Sequence, residues 1–296
     1  MCSKASITVA TRWIQSERTR TYSKKIFLKQ LKGSTGQPEW KRTGKACRLF
    51  SMNSSSNSNV RIVVIAGVGS GLGASLARRF VQEGCKVALL ARSTEYLEQL
   101  AREINEEHGA GSALAVPCDL ADPEEIAGAF RQVREKLGPT DLLVNHASGG
   151  GGPRGGSLLE LDPDDFERAW RVGVFGALLC AREAAADMLT SGRNGGTILF
   201  TGATSSVRGG GIAFSSAKFG SRGLAQSLAR ELWPKGIHVA HIVLDGGFAD
   251  LSLGPAANDE LDPDAMATVY WQLACQERSA WTLELDLRPY QEKFFE

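Results

Sequence analysis

Arg61-Ile-Val-Val-Ile-Ala-Gly-Val-Gly-Ser-Gly-Leu-Gly-Ala-Ser-Leu-Ala-Arg-Arg-Phe80 places a short apolar run, a cluster of glycines and a helical pattern in direct succession. This order predicts a strand, a tight turn and a helix. One glycine permits the sharp turn, a second permits close approach of a ligand, and a third lets the helix pack on its strand. The first amides of such a helix favour a phosphate. The predicted binding residues of this dinucleotide turn are Gly67, Ser70, Gly71, Leu72 and Gly73.

The register of the glycines has two solutions. Gly69, Gly71 and Ala74 satisfy the G-x-G-x-x-G/A form. Counting from Gly67 instead gives the spacing G-x-x-x-G-x-G, which is favoured because it puts the first glycine directly after the strand. A turn that only connects a strand to a helix is the structural alternative.

Size and composition restrict the kind of protein. The chain has 296 residues, 43% of them hydrophobic, which is enough to bury one sizeable core. The six cysteines form no C-x-x-C pair and no metal-ligand spacing, so we expect reduced thiols in an intracellular protein and no metal site. No apolar run reaches the length of a membrane span. The net charge is +1, but the basic residues are concentrated in the first 50 positions, so the rest of the chain is mildly acidic and predicts no nucleic-acid surface.

The first 50 residues carry twelve Lys or Arg and only two acidic residues. They lack the apolar core of a secretory signal, and their basic, Ser- and Thr-rich composition is compatible with a transit peptide. Met52 precedes a polar leader and would also serve as a start. We therefore predict a basic, disordered extension over residues 1–58, either a transit peptide or a spurious upstream start, and a single domain over residues 59–296. The expected location is cytoplasmic, or mitochondrial or in another organelle if the extension is a transit peptide.

Short apolar runs alternate with longer amphipathic stretches from Arg61 onward, which is the pattern of βαβ units. Right-handed crossovers then favour ligand binding at the carboxyl ends of the strands. A period-two pattern over residues 281–288 predicts a last strand at the sheet edge, ended by Pro289. The predicted fold is α/β, a Rossmann-type doubly wound parallel sheet of about seven strands. The other strands are predicted at 61–66, 86–91, 113–118, 141–145, 196–201 and 238–244, and the helices at 73–83, 94–108, 123–137, 163–190, 212–233 and 263–276.

Arg92 follows the second predicted strand, where an NAD-binding enzyme usually has an acidic residue for the ribose 2′-hydroxyl. A guanidinium at this place pairs with a 2′-phosphate and stacks on adenine. The predicted cofactor is therefore NADP(H), with NAD less favoured. An exposed arginine that merely opens the next helix is the alternative.

Four motifs between residues 60 and 250 resemble the short-chain dehydrogenase/reductase family. Ala66-Gly-Val-Gly-Ser-Gly-Leu-Gly73 is similar to its TGxxxGxG turn, and Asn145-His-Ala-Ser148 is similar to its NNAG motif. Cys118-Asp-Leu120 looks like the segment with the adenine-contacting Asp, and Phe214-Ser-Ser-Ala-Lys218 stands where the family has YxxxK. The resemblance implies hydride transfer between nicotinamide and a carbonyl or alcohol carbon. The further cofactor-binding residues that it implies are Asp119, Leu120, Asn145, Ala147 and Lys218.

The chain departs from the family at the positions that move the proton. The family uses a Tyr as proton donor beside a Lys, a Ser that holds the substrate oxygen and an Asn that holds a water. Lys218 is retained, but Phe214 has no proton to donate. Ala203 falls on the Ser position and Gly173 on the Asn position, and Asp245 replaces the Pro that usually follows the sixth strand.

His146 is a candidate for the missing donor, because imidazole titrates near neutrality and the end of the fourth strand is expected to face the nicotinamide. A structural, hydrogen-bonded histidine is the alternative. Thr204 or Ser205 is a candidate for the missing Ser. Lys218 is expected to bind the ribose hydroxyls whether or not a proton moves. The predicted catalytic residues are Lys218, His146 and Ser205.

Two functions are compatible with this pattern. The first is an NADP(H)-dependent oxidoreductase of the short-chain type with an atypical site, acting on a small-molecule carbonyl or alcohol. The second is a catalytically impaired nucleotide-binding protein of the same fold that serves as a sensor or partner subunit. Phe214 and Gly173 favour the second, whereas Lys218 and the glycine turn fit both. A homo-oligomer built from the long helices is expected.

Overall fold

The computed structural model describes residues 60–149, 157–193 and 195–292. The predicted extension over residues 1–58 lies outside the described residues. Strands β1 to β6 span Ile62–Ala66, Lys86–Ala91, Ala113–Pro117, Leu142–Asn145, Gly196–Thr201 and Ile237–Leu244. A small pair, β7 (Gly247–Phe248) and β8 (Glu260–Leu261), is followed by β9 (Glu284–Leu287). Helices α1 to α7 span Leu72–Gln82, Thr94–His108, Pro123–Lys136, Pro163–Trp170, Ala177–Thr190, Ile212–Leu232 and Pro263–Ala274.

Seven parallel strands form the central sheet in the order β3-β2-β1-β4-β5-β6-β9. The order reverses between β1 and β4, which is the place where doubly wound sheets bind ligands. The strand predicted from the C-terminal alternation is β9, and it lies at the sheet edge beside β6. The predicted fold class is therefore confirmed.

Alternate side chains of the strands enter two separate cores, one on each face of the sheet. On one face, Val63 and Ile65 of β1 pack with residues of α1, α2 and α7. On the other face, Val64 of β1 packs with residues of α3, α5 and α6. Since both faces are covered, the strands are apolar almost throughout, as the sequence pattern indicates.

Local signals explain several element ends. Asp122 caps α3 by accepting hydrogen bonds from the amides of Glu124 and Glu125, with Pro123 in the first turn. The predicted single helix over residues 163–190 is wrong in one respect, because a π-helical turn at Arg171–Gly176 separates α4 from α5. Such turns widen the helix and often occur at functional sites.

Candidate functional site

The glycine turn after β1 has the conformation that its first glycine requires. Gly67 has φ +101°, and a Cβ at this position would lie 2.5 Å from the Cα and N atoms of Ala147. A Cβ on Gly73 would lie 2.9 Å from the Cα of Val68, in the turn itself. Gly67 is thus needed for the turn and Gly73 for the packing of α1, which supports the register counted from Gly67.

The same turn leaves its middle section open for a ligand. A Cβ on Gly69 or on Gly71 would meet no atom within 4 Å. Gly71 is the N-cap of α1 and supplies no side-chain hydrogen bond to the helix amides. The first backbone bonds of the helix are those of Ala74 to Gly69 and Gly71, so the amides just before it are available to an anion. This arrangement fits a dinucleotide pyrophosphate.

The two side chains of the turn predicted to contact the cofactor differ in exposure. Ser70 is exposed and available to a ligand. Leu72 is 2% exposed and packs in the core on the α1 face, so only its backbone amide is available.

Arg92 and Asp119 lie at the carboxyl ends of β2 and β3. Arg92 is exposed and has no hydrogen bond or ion pair with any of the described residues. Asp119 accepts a hydrogen bond from the amide of Ala121 at 3.0 Å and lies 3.6 Å from a guanidinium nitrogen of Arg168. Leu120 is buried, and its carbonyl fills the space where Gly176 would carry a Cβ. Asp119 and the backbone of Leu120 are the groups available here, and their predicted contact with adenine stays a prediction.

Asn145 and Ala147 lie at the end of β4, directly beside the glycine turn. The amides of His146 and Ala147 both donate to the carbonyl of Ala66, at 2.9 and 2.8 Å. Asn145 is buried, and its side-chain oxygen has no hydrogen-bond partner among the described residues. A small cavity beside it is also lined by Gly173 and Thr201. Gly173, which the sequence resemblance assigns to the position of the family's Asn, lines this cavity without contributing a polar side chain.

Lys218 lies on α6, and its ammonium group is buried. It donates a hydrogen bond of 2.8 Å to the carbonyl of Thr201. Burial lowers the pKa of Lys218 to about 8. Its Nζ atom lies 5.6 Å from the centroid of the Phe214 ring. The phenyl group therefore occupies the place beside the ammonium that the sequence resemblance assigns to the family's proton donor.

His146 joins a chain of hydroxyl groups that the sequence analysis did not find. Its Nδ1 atom lies 3.2 Å from Oγ1 of Thr201, which lies 2.8 Å from the phenol oxygen of Tyr270. Burial and the nearby charge of Lys218 lower the pKa of His146 to about 4, so the ring is neutral at pH 7. The phenol of Tyr270 is fully buried in the core, and this burial raises its pKa. A phenol does lie close to the site, on α7 rather than on α6.

Ser205, the third predicted catalytic residue, belongs to a short 3₁₀ turn, Thr204–Ser206. Its hydroxyl forms no hydrogen bond with the described residues, so it is hydrogen-bonded to neither His146 nor Lys218. Thr204 donates instead to Asp245, which also pairs with Arg288. The catalytic role of Ser205 stays a prediction.

The described ranges 60–149, 157–193 and 195–292 also bear on metal binding and on membrane insertion. No group of three or more His, Cys, Asp or Glu in these ranges is arranged to hold a metal ion. None of their helices combines the length and the apolar character that crossing a bilayer requires.

Comparison with known proteins gives the same picture as the geometry. The family model described as short chain dehydrogenase matches residues 61–249. The human protein named dehydrogenase/reductase SDR family member 11 is 27% identical over 219 residues, which cover 73% of this chain and 83% of that protein.

Solved structures are similar over nearly their whole length. A short-chain dehydrogenase from Rhodopseudomonas palustris is 34% identical with a TM-score of 0.67, covering 78% of this chain and 99% of that one. A metagenomic short-chain oxidoreductase in complex with NADP is 28% identical with a TM-score of 0.65, covering 78% and 98%. A 3-ketoacyl-(acyl-carrier-protein) reductase from Brucella melitensis, complexed with NADH, is 26% identical with a TM-score of 0.68 and the same coverage.

Proposed function

This chain belongs to the short-chain dehydrogenase family, and we propose that it is an NADP(H)-dependent oxidoreductase acting on a carbonyl or alcohol substrate. The observation that carries this proposal is the open glycine turn, with its uncapped helix amides, at the same edge of the sheet as the buried Lys218. The first feature binds a pyrophosphate, and the second binds ribose hydroxyls.

Each end of the proposed cofactor has a protein group available to it. The amides from Gly69 to Gly73 are expected to bind the pyrophosphate, and Asp119 the adenine. The unpaired guanidinium of Arg92 is expected to bind a 2′-phosphate, which is the reason for proposing NADP(H) rather than NAD. When bound, the nicotinamide supplies or accepts a hydride, and the protein handles the proton.

His146 is the residue that we propose for the proton. Its Nε2 atom has no partner among the described residues, whereas Nδ1 is bonded to Thr201. In reduction, the Nε2–H bond breaks as an O–H bond forms on the substrate oxygen, and water then reprotonates the ring. This step is feasible because an alkoxide is a stronger base than the deprotonated imidazole.

The alternative is a protein of this family that binds the dinucleotide and does not turn substrates over. The specific observation in its favour is the phenyl ring of Phe214 beside Lys218, together with the space left at Gly173. Neither group donates a proton.

A homo-oligomer is part of the same proposal. Large apolar side chains on α4, the π-helical turn, α5 and α6 are more than a third exposed, which is unusual for a solvent-facing surface. They are Phe166, Trp170, Phe175, Leu178 and Phe219. Sedimentation of the wild-type protein and of a Phe175→Glu variant tests this, with a smaller species expected for the variant.

The purified protein is mixed with NADPH, binding is followed by fluorescence, and oxidation of NADPH is followed by absorbance with a panel of ketones, quinones and aldehydes. Turnover that falls about 10²-fold or more in His146→Gln supports the proposed enzyme. The matched control is His108→Gln at the end of α2, which should leave turnover unchanged. Binding without turnover across the panel supports the alternative, and absence of binding overturns both.

A further inference from the structure

We propose that Tyr270 and Thr201 hold the neutral ring of His146 in the tautomer that carries its proton on Nε2, so that the site presents an N–H donor to a carbonyl oxygen. Tyr270 and Thr201 are then positioning residues that act through His146. The proposal rests on the proposed function of His146 as the proton donor to the substrate oxygen. It adds the reason why Nε2 of that ring carries a proton.

Tyr270 determines which group donates and which accepts in the hydrogen bonds that link it to Thr201 and His146. Its side chain is 0% exposed and lies in the apolar core between α1, α7 and the sheet. The only described partner of its hydroxyl is Oγ1 of Thr201, at 2.8 Å. A buried O–H group without an acceptor destabilises the folded protein. The phenol therefore donates its proton to Thr201.

Thr201 in turn determines whether Nδ1 of His146 donates or accepts a hydrogen bond. Its oxygen accepts from Tyr270, so its own O–H group is free to donate, and the remaining partner within hydrogen-bond distance is Nδ1 of His146 at 3.2 Å. Lys218 does not compete, because it binds the backbone carbonyl of Thr201 and not the hydroxyl. Nδ1 is thus an acceptor, and the single proton of the neutral ring lies on Nε2.

The reverse arrangement is less stable for a definite reason. If Nδ1 carried the proton, it would donate to Thr201. Thr201 would then either donate to Tyr270, which leaves the phenol proton without an acceptor, or accept both protons, which leaves its own buried O–H group without one. Only the Nε2–H tautomer satisfies all three groups.

The chemical consequence is a preference for carbonyl substrates in the ground state. A neutral Nε2–H group stabilises the negative charge that develops on a carbonyl oxygen during reduction. The opposite tautomer would offer a lone pair at Nε2, which suits an alcohol. The geometry therefore points to a site built to polarise a carbonyl group.

The tautomer is measured by ¹⁵N NMR of histidine-labelled protein at pH 7, where each tautomer gives a distinct pair of ring nitrogen shifts. The reference for the Nε2–H form is a small-molecule imidazole fixed in that tautomer, and the chain supplies the reference for the other form. The Nδ1 atom of His241 lies 3.2 Å from a carboxylate oxygen of Glu284, so His241 should report the Nδ1–H form.

We expect His146 to show the shifts of the Nε2–H form, and not those of His241, in the wild-type protein. In Tyr270→Phe, Thr201 can either donate to Nδ1 of His146 or accept from it. In Thr201→Val, Nδ1 has no hydroxyl partner. In both variants the His146 shifts should therefore move toward a mixture of tautomers. Thr201→Ser keeps the hydroxyl and should restore the wild-type shifts. Tyr96→Phe, which removes a phenol from the edge of the same core, is the matched control and should leave them unchanged.

A purely structural role for Tyr270 predicts lower stability with unchanged His146 shifts. Shifts that match His241 in the wild type, or that stay fixed in both Tyr270→Phe and Thr201→Val, overturn the inference. The His146 shifts can change as expected while His146→Gln keeps full turnover. That result supports the proposed tautomer of His146 and overturns its proposed role as the proton donor. The two failures are therefore distinguishable.

Discussion

The two halves of the sheet edge differ in how they build a site. The half after β1, β2 and β3 uses backbone amides and the absence of side chains, and it keeps the family pattern from Gly67 to Asp119. The half after β4, β5 and β6 relies on particular side-chain atoms, and there the sequence resemblance assigns Phe214, Ala203 and Gly173 to the positions of the family's Tyr, Ser and Asn. Binding a dinucleotide requires a particular backbone conformation, whereas moving a proton requires one donor atom close to the substrate. A different side chain can supply that donor atom.

The largest expected effect comes from filling the glycine turn. Gly67→Val should lower the free energy of unfolding by about 3 kcal/mol or more, because the side chain strains a positive φ and overlaps the backbone of Ala147. Gly71→Ala is the matched variant, since a Cβ there meets no protein atom. It should cost less stability and weaken NADPH binding. Urea unfolding and fluorescence titration check both, and equal stability of the two variants would contradict the backbone argument.

The next prediction concerns Arg92, a side chain in the half of the sheet edge after β1, β2 and β3, and asks whether it selects the cofactor. Arg92→Asp should reverse the preference for NADP over NAD, changing the ratio of the two dissociation constants about 100-fold through loss of charge-assisted hydrogen bonds. Arg102→Asp, on the exposed side of α2, changes the same charge away from the strand end and should leave the ratio unchanged. An unchanged ratio in Arg92→Asp would remove the assignment of NADP(H).

The fold was predictable because its signals are local. Strand β1, the turn from Gly67 and the cap at Asp122 depend on residues close together in sequence, and the predicted boundaries of the strands agree with the structure to within a few residues. The link between Thr201 and Tyr270 joins residues 69 positions apart on different elements, and no local pattern predicts it. A tyrosine on the core face of α7, whose hydroxyl must find a partner, was the available signal. The π-helical turn at Arg171–Gly176 has no such signal in its sequence.

A third prediction concerns the loss of folding stability caused by the buried charge of Lys218, in the half of the sheet edge after β4, β5 and β6. Lys218→Met should raise the free energy of unfolding by about 1–3 kcal/mol at pH 7, because burial lowers the pKa of Lys218 to about 8 and one pKa unit corresponds to about 1.4 kcal/mol. The same variant should weaken NADPH binding about 10-fold.

The pH dependence has a definite sign. Between pH 8 and 10 the unfolded chain keeps the Lys218 proton that the folded chain has lost, so the stability contribution of this group rises with pH. Burial raises the pKa of the Cys85, Cys118 and Cys180 thiols, so these groups lower the stability of every variant as the pH rises through the same window. The Lys218 contribution is therefore read from the difference in free energy of unfolding between a variant and the wild type. Urea unfolding at pH 7 and 9.5 should show this difference shrink for Lys218→Met and stay constant for Lys235→Met, an exposed control on the surface. A Lys218→Met protein less stable than the wild type at pH 7 would contradict the buried-charge argument.

The smallest expected effect comes from restoring the family's residue. Phe214→Tyr places a phenol beside Lys218, yet Ala203 still offers no hydroxyl and Gly173 no amide, so the new group stands alone. If His146 handles the proton, the turnover number should change by less than about 3-fold, since a second donor adds little where one already acts. A rise of 100-fold or more would mean that the half after β4, β5 and β6 is an impaired copy of the family's site, and the difference between the two halves would then reflect loss of the donor group and not its replacement by a different side chain.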